Sequence, residues 1–215
     1  MHLYLIRHGE SWVNMPDDHQ NHPLDAGLTE RGQEQAKSLA SWLKKEVPQI
    51  DKMYASSMRR AQETAVILAT AYNCNVISDH RLREIGNNRL DHSPLSNDEL
   101  PRQYTHLSPF ENPITPIATD VENGETFMHF RIRIGLFIDE LIQKHQEKTI
   151  LAVCHGGVIN AAVDHIFNIG PYRRCDVRGQ HTSATYFQHL GKLTREPWRL
   201  HYLGQTNHLK SNLKK

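Results

Sequence analysis

The segment Leu3-Tyr4-Leu5-Ile6-Arg7-His8-Gly9 places four apolar residues directly before an arginine, a histidine and a glycine. The apolar run predicts a short buried strand, and the glycine predicts a turn at its end. A second segment, Thr149–Cys154 followed by His155-Gly156-Gly157, repeats this arrangement. Near-continuous apolar runs are typical of central strands in a parallel sheet. Because parallel strands end at the same edge of a sheet, we expect His8 and His155 to lie close together.

Helical periodicity separates the predicted strands. Apolar residues recur at helical spacing in residues 36–47, 61–72 and 127–142, with Thr29 as the predicted N-cap and Pro48 as the stop of the first helix. Further strands are predicted at residues 52–56, 76–77, 184–189 and 198–203, and a further helix at residues 158–168. The alternation of strands and helices predicts an α/β fold with a mostly parallel sheet.

Length and composition restrict the class of protein. The chain has 215 residues, of which 38% are hydrophobic, and a formal net charge of +1. It is long enough to bury the core of one large domain, and its charge balance gives no general attraction to nucleic acid or anionic membranes, so we expect neither partner. Three widely spaced cysteines and the lack of a signal-peptide pattern or a long apolar stretch lead us to expect a cytoplasmic protein. The oligomeric state stays open.

Residues 85–125 interrupt the regular pattern. This segment contains five of the ten prolines, no lysine, and seven acidic residues against two arginines, a net charge of −5. Long irregular segments inside compact domains are often functional. We therefore predict an acidic cap inserted into a single domain that spans residues 1–215 and ends in a basic, mobile tail at about residues 205–215.

The strand ends carry residues suited to phosphate chemistry. A histidine beside an arginine and a glycine turn can attack an anionic group that the arginine holds. The glycines allow backbone amides to approach a ligand, and the helix that follows Gly157 would direct its positive end toward an anion.

A second arginine pair and a carboxylate are candidates for the same edge. Arg59 and Arg60 open a helix directly after a predicted strand. The spacing of Ala61 and Ala65 predicts that Arg60 lies near the core and Arg59 points outward. Glu84 follows the third strand and is either an acid for catalysis or a surface salt-bridge partner.

Taken in order, these segments resemble the motifs of the histidine phosphatase superfamily, also called phosphoglycerate-mutase-like. The similarity runs from Leu3 to about Phe187. It implies a three-layer α/β/α fold with an inserted cap, a phosphohistidine intermediate, and no metal or other cofactor. The matching motifs are Arg7-His8-Gly9-Glu10-Ser11 with Asn14, Leu28-Thr29-Glu30-Arg31-Gly32 with Gln35-Ala36, Arg60-Ala61 with Thr64-Ala65, Glu84, Gly124-Glu125-Thr126, and His155-Gly156-Gly157.

The resemblance also implies roles for individual residues. His8 matches the nucleophile, and we predict that its second ring nitrogen donates to a backbone carbonyl that fixes the tautomer. Glu84 matches the proton donor, which would protonate the leaving oxygen and then activate water. The phosphate-binding shell is assigned to Arg7, Asn14, Arg60, His155 and Gly156.

These residues predict a phosphomonoesterase that acts on a small phosphorylated metabolite. One alternative is a cofactor-dependent phosphoglycerate mutase, which the acidic insertion disfavours because a mutase must rebind a second anionic group. A second alternative is a non-catalytic phosphate-binding module on the same fold.

Several other residues have a structural and a functional interpretation. Arg173-Arg174 could contact a second phosphate, although a solvated surface pair is the preferred interpretation. Cys154 is interpreted as packing rather than a redox thiol. Gly124-Glu125-Thr126 is interpreted as a helix start with Thr126 as N-cap, rather than as a substrate contact.

Overall fold

The computed structural model describes residues 1–15, 22–101, 112–172, 175–191, 195–209 and 213. These residues form one sheet with helices on both faces. The strands are β1 (His2–Arg7), β2 (Lys52–Ser56), β3 (Val76–Asp79), β4 (Thr149–Cys154), β5 (Ala184–His189) and β6 (Trp198–Gln205). The helices are α1 (Glu30–Glu46), α2 (Arg59–Tyr72), α3 (Phe127–Lys144) and α4 (Gly156–Ile166).

The strand order is β3-β2-β4-β1-β5-β6. β3, β2, β4 and β1 are parallel, whereas β5 runs antiparallel to both β1 and β6. Arg7 pairs with Cys154 at the ends of β1 and β4, and the His8 amide then donates to the Cys154 carbonyl at 3.0 Å. This register confirms the predicted α/β fold and brings the two His-Gly motifs to one edge of the sheet.

The two faces of the sheet bury separate cores. Leu151 and Val153 of β4 pack in the core beneath α1 and α2, whereas Ile150, Ala152 and Cys154 pack beneath α3 and α4. A strand that is covered on both faces needs apolar residues at every position, which explains the near-continuous apolar run. Cys154 is fully buried, and burial raises the pKa of its thiol, as expected for a packing residue rather than a reactive thiol.

The helix ends follow local capping chemistry. The hydroxyl of Thr29 accepts from the Gly32 amide at 3.0 Å, and that of Thr126 accepts from the His129 amide at 3.3 Å, so both predicted N-caps are confirmed. α1 ends at Glu46, two residues before Pro48.

Several element boundaries differ from the predicted ones. α4 begins at Gly156 rather than residue 158, because the extended backbone of His155 makes that residue the N-cap. The same helix ends at Ile166, before Asn168 with its left-handed φ of 53°. β3 and β6 each extend two residues beyond the predicted ends, because their polar final residues still pair in the sheet.

The inserted segment is packed against the domain and is less acidic at its surface than its composition indicates. Leu95 and Leu100 are buried together with Met58, and a bridge joins Arg89 to Gly124. Glu125 is completely buried, so this one of the seven carboxylates does not contribute to a solvent-exposed acidic surface. Residues 102–111 of the insertion lie outside the described residues.

The C-terminal segment begins inside the fold. Gln205 is the last residue of β6, and His208 and Leu209 are buried. The Ser38 hydroxyl donates to the His208 carbonyl at 2.5 Å. Apart from Leu213, the basic residues and their neighbours at 210–215 lie outside the described residues. Among the described helices, none combines the length and apolar character needed to span a membrane.

Candidate active site

His8 lies directly after β1 and is 3% exposed. Its Nδ1 lies 2.7 Å from the carbonyl oxygen of Gly9, which can only accept, so Nδ1 carries the proton. Nε of Arg60 donates to Nε2 of His8 at 3.2 Å. These contacts confirm the predicted backbone anchor and leave the lone pair of the ring on Nε2.

His8 is held in its neutral form. Burial lowers its pKa well below the usual value of 6.5, and the positive charge of Arg60 lowers it further. The hydrogen bond to Gly9 acts in the opposite direction and is the weaker influence. A neutral imidazole with a lone pair on one ring nitrogen is the form required of a nucleophile.

His155 lies beside His8, with 5.0 Å between the ring centroids. Its Nε2 is 2.8 Å from the hydroxyl of Ser56, which accepts from the Met58 amide at 3.3 Å. Ser56 can therefore donate to Nε2, which leaves the proton of a neutral ring on Nδ1. Burial and Arg60 lower the pKa of His155 well below 6.5. Nδ1 is buried and has no hydrogen-bond partner within the described part of the chain, so it is available to donate to a ligand.

Two arginines flank His8. Arg7 donates to the Gly179 carbonyl at 2.5 Å, and its buried Nε has no partner among the described residues. Arg60 is 6% exposed. Arg59 points outward and pairs with Glu63 at 2.7 Å, which confirms the predicted orientation of this arginine pair. Two guanidinium groups at one sheet edge form a local positive site in a chain that is nearly neutral overall.

The carboxylate of Glu84 lies against the N-terminus of α4. One carboxylate oxygen accepts from the Gly157 amide at 3.1 Å, and the other accepts from the Ile85 amide at 2.9 Å. A Cβ at Gly157 would overlap the Oε1 atom of Glu84, so only glycine leaves room for the carboxylate. The negative charge of Glu84 also raises the pKa of Arg7 against the stronger lowering by burial.

The remaining predicted site residues differ in their placement. A Cβ at Gly156 would lie 3.9 Å from Nε of Arg7, which locates this glycine beside the phosphate-binding candidates. Asn14 is exposed, and its Oδ1 accepts from the Ser11 hydroxyl at 2.8 Å rather than joining the two arginines. Arg173 and Arg174 lie outside the described residues.

His181 also lies at this site, although it is not among the predicted site residues. Its ring centroid is 5.8 Å from that of His8, and its Nε2 is 3.4 Å from a terminal nitrogen of Arg7. The next residue, Thr182, has a φ of 57° and donates its amide to the His8 carbonyl at 3.1 Å. A β-branched residue rarely adopts this conformation, and such strain often occurs at functional sites. No local sequence pattern locates His181 here: β5 runs antiparallel to β1 and therefore starts at the edge where β1 ends, a direction that only the structure shows.

A cavity of about 500 Å³ opens beside Arg7 and His181. The glycines at the start of α4 form one part of its wall, and Phe127 and Phe130 form an apolar part. Asp176 and Arg178 supply charged groups. This cavity could hold the group to which a phosphate is attached. Among the described residues, no group of three or more histidine, cysteine, aspartate or glutamate side chains is arranged to hold a metal ion.

Comparison with known proteins agrees with this geometry. Residues 3–202 match the family described as histidine phosphatase superfamily (branch 1). Phosphoserine phosphatase 1 of Hydrogenobacter thermophilus is 32% identical over 157 residues, which cover 71% of this chain and 70% of that protein. A relative from Enterobacter sp. (strain 638), named probable phosphoglycerate mutase GpmB, is 27% identical over 214 residues, covering 97% of this chain and 95% of that protein.

A solved structure shares the fold at lower identity. A phosphoserine phosphatase mutant from Entamoeba histolytica, in complex with phosphoserine, gives a TM-score of 0.70 at 22% identity and covers 97% of this chain and 99% of that chain. With the family match over most of the chain, these observations show that the protein belongs to the histidine phosphatase superfamily.

Proposed function

We propose that this protein is a phosphomonoesterase that hydrolyses a small phosphorylated metabolite through a phosphohistidine on His8. Family membership and the phosphoserine phosphatase relatives support a phosphatase activity. The observation that carries the proposal is the arrangement of the His8 ring. Its Nδ1 is anchored on the Gly9 carbonyl, and its Nε2 lone pair lies beside Arg60.

In the first step, Nε2 of His8 attacks phosphorus while the bond between phosphorus and the ester oxygen breaks. Glu84, protonated at this stage, donates its proton to the departing oxygen. The guanidinium groups of Arg7 and Arg60 and the Nδ1 proton of His155 stabilise the charge on the other phosphate oxygens. Phosphoryl transfer depends mainly on this positioning and charge stabilisation.

In the second step, the Glu84 carboxylate removes a proton from a water molecule, which attacks the phosphorus of phosphohistidine. The bond between phosphorus and Nε2 breaks, and its electron pair returns to His8. Inorganic phosphate leaves, and the proton that Glu84 has gained is the one required for the next turnover. The cycle needs no further reactant.

Hydrolysis is proposed in preference to mutase chemistry because of the charge on the insertion. The carboxylates of Asp98, Glu99, Asp120 and Glu122 line one surface depression, where Arg89 is the basic residue. A mutase must retain one phosphorylated product and rebind a second anionic group, which such a surface repels.

The test is to mix the protein with a panel of phosphate esters that includes phosphoserine and 3-phosphoglycerate, and to quench at alkaline pH within milliseconds. We expect mass spectrometry to find an acid-labile phosphate on His8 that disappears as inorganic phosphate is released. His8→Ala should abolish both signals, whereas His201→Ala on the edge strand β6 should retain them. A stable adduct that passes to a second alcohol would identify a mutase. Tight binding of esters without adduct or release would identify a binding module.

A further inference from the structure

Arg133 and Glu125 form an ion pair in which both side chains are completely buried. Nε of Arg133 donates to one carboxylate oxygen of Glu125 at 2.8 Å, and a terminal nitrogen donates to the other at 2.8 Å. This bidentate geometry is the strongest form of an arginine–carboxylate pair. Neither residue has a role in the two chemical steps proposed above.

The remaining hydrogen bonds of Arg133 are directed at the segment that carries Glu84. One terminal nitrogen donates to the carbonyls of Arg81 at 2.5 Å and Arg83 at 2.8 Å, and the other donates to the carbonyl of Glu84 itself at 3.0 Å. All five N–H donors of the guanidinium are thereby used.

Glu125 holds the same segment from its other side. Its Oε1 accepts from the Gly86 amide at 2.7 Å, two residues after Glu84. The ion pair thus contacts the main chain directly before, at and after Glu84. Within the described part of the chain, the hydrogen bonds to the Glu84 carboxylate come from the backbone amides of Gly157 and Ile85, so the position of the carboxylate depends on where this main chain lies.

We propose that Arg133 and Glu125 are positioning residues that hold the main chain of Glu84, so that its carboxyl group meets the leaving oxygen. The proposal rests on the proposed role of Glu84 as general acid. A buried ion pair is weak evidence for added stability, because the cost of removing two charges from water offsets their attraction. The fork of Arg133 does supply fixed directions, which a pair of apolar residues cannot supply.

Leaving-group dependence separates positioning from a merely structural role. A 4-nitrophenolate leaving group departs without protonation, whereas an alkoxide needs the acid. The experiment measures kcat/KM, which reports the first chemical step, for 4-nitrophenyl phosphate, phenyl phosphate and an alkyl phosphate. The variant is Glu125→Gln, which keeps the size of the side chain and removes its charge. Glu84→Gln serves as the reference for complete loss of the acid.

The matched control is Asp164→Asn. Asp164 is also completely buried, and it pairs at 3.4 Å with Arg131, two residues from Arg133 on α3. We expect this variant to lose stability and to change kcat/KM by the same factor for all three esters. Urea unfolding of each variant measures its loss of stability, so that Glu125→Gln and Asp164→Asn can be compared at a known difference in stability.

For the alkyl phosphate, we expect Glu84→Gln to lower kcat/KM by about 10²-fold or more and Glu125→Gln to lower it by at least about tenfold. For 4-nitrophenyl phosphate, we expect kcat/KM of both variants to change by less than about threefold. If Glu84→Gln shows this dependence and Glu125→Gln behaves like Asp164→Asn, the positioning role is wrong and the proposed function stands. If the loss of kcat/KM in Glu84→Gln does not depend on the leaving group, Glu84 is not the general acid, and the positioning role of Arg133 and Glu125 is wrong as well.

A second variant covers the case in which Glu125→Gln does not fold. Arg133→Lys keeps a paired charge in the interior and loses the planar fork that reaches the Glu84 carbonyl. We expect the same selective loss with the alkyl phosphate. An equal change for all three esters in Arg133→Lys would overturn the proposal.

Discussion

Nε of Arg60 donates to Nε2 of His8 at 3.2 Å, so the proposed attacking atom is held beside a permanent positive charge in a buried site. This single contact has two consequences. It orients the imidazole lone pair, and it disfavours protonation of His8, since a second positive charge would face the guanidinium. An arriving phosphate would displace Nε2 as the acceptor of this donor.

Replacement of Arg60 by alanine should change both the rate and its pH dependence. We expect kcat/KM to fall by about 10²-fold or more, the size typical of losing a donor to transition-state charge. The pKa of His8 should rise because one cause of its lowering is removed, so activity on the acid side should be lost at a higher pH than in the wild type. The pH profile of kcat/KM measures both effects. Arg59→Ala, at an exposed position, is the control, and an unmoved acid limb in Arg60→Ala would contradict the argument.

His181 is expected to contribute to phosphate binding through its position beside Arg7. His181→Ala should weaken inhibition by inorganic phosphate or vanadate by about tenfold, the loss of one charge-assisted contact, while His181→Gln should recover part of the affinity. His201→Ala is the matched histidine control. Equal inhibition constants for wild type and His181→Ala would show that the proximity of His181 has no role in binding.

Gly157→Ala tests the position of the Glu84 carboxylate beside the Gly157 amide. The added Cβ would overlap Oε1 of Glu84 and approach Phe130, so the carboxylate must move. A displacement of about 1 Å in a catalytic group can lower the rate by about 10²-fold, and we expect such a loss in kcat/KM with an alkyl phosphate. Gly170→Ala is the control, because a Cβ there meets no atom within 4 Å. Similar kinetics for the two variants would contradict this placement of Glu84.

His208 should make the protein less stable in acid. Burial lowers its pKa from 6.5 to about 4, and its Nε2 lies 2.9 Å from the Thr182 hydroxyl. Because the unfolded chain then binds the proton more readily, stability falls as pH drops below 6.5 and continues to fall until pH 4.

His208→Gln removes this titration. Between pH 7 and pH 5, its free energy of unfolding should fall by about 2 kcal/mol less than that of the wild type, at about 1.4 kcal/mol per pKa unit. Urea unfolding at the two pH values measures the difference. His8 and His155 contribute equally to the pH dependence of the free energy of unfolding in both proteins. The same pH dependence in wild type and His208→Gln would therefore rule out a contribution from His208.

The predicted elements with strong local signals agree with the structure. β2, β4 and β5 have the predicted residues, and Thr29 and Thr126 cap the helices assigned to them. The predicted boundaries of α4 were less accurate. His155 is the N-cap because its backbone is extended between strand and helix, and its side chain makes no capping hydrogen bond that the sequence could indicate.

The sequence by itself determined the parallel strands, the helix caps and the meeting of His8 with His155. These features follow from apolar periodicity and turn residues within short segments, and from the common edge of parallel strands. Only the tertiary structure decided that His181 reaches Arg7, 174 positions away, and that Arg133 holds the carbonyl of Glu84, 49 positions away. Such contacts depend on the direction of β5 and on the packing of α3, which no local pattern encodes.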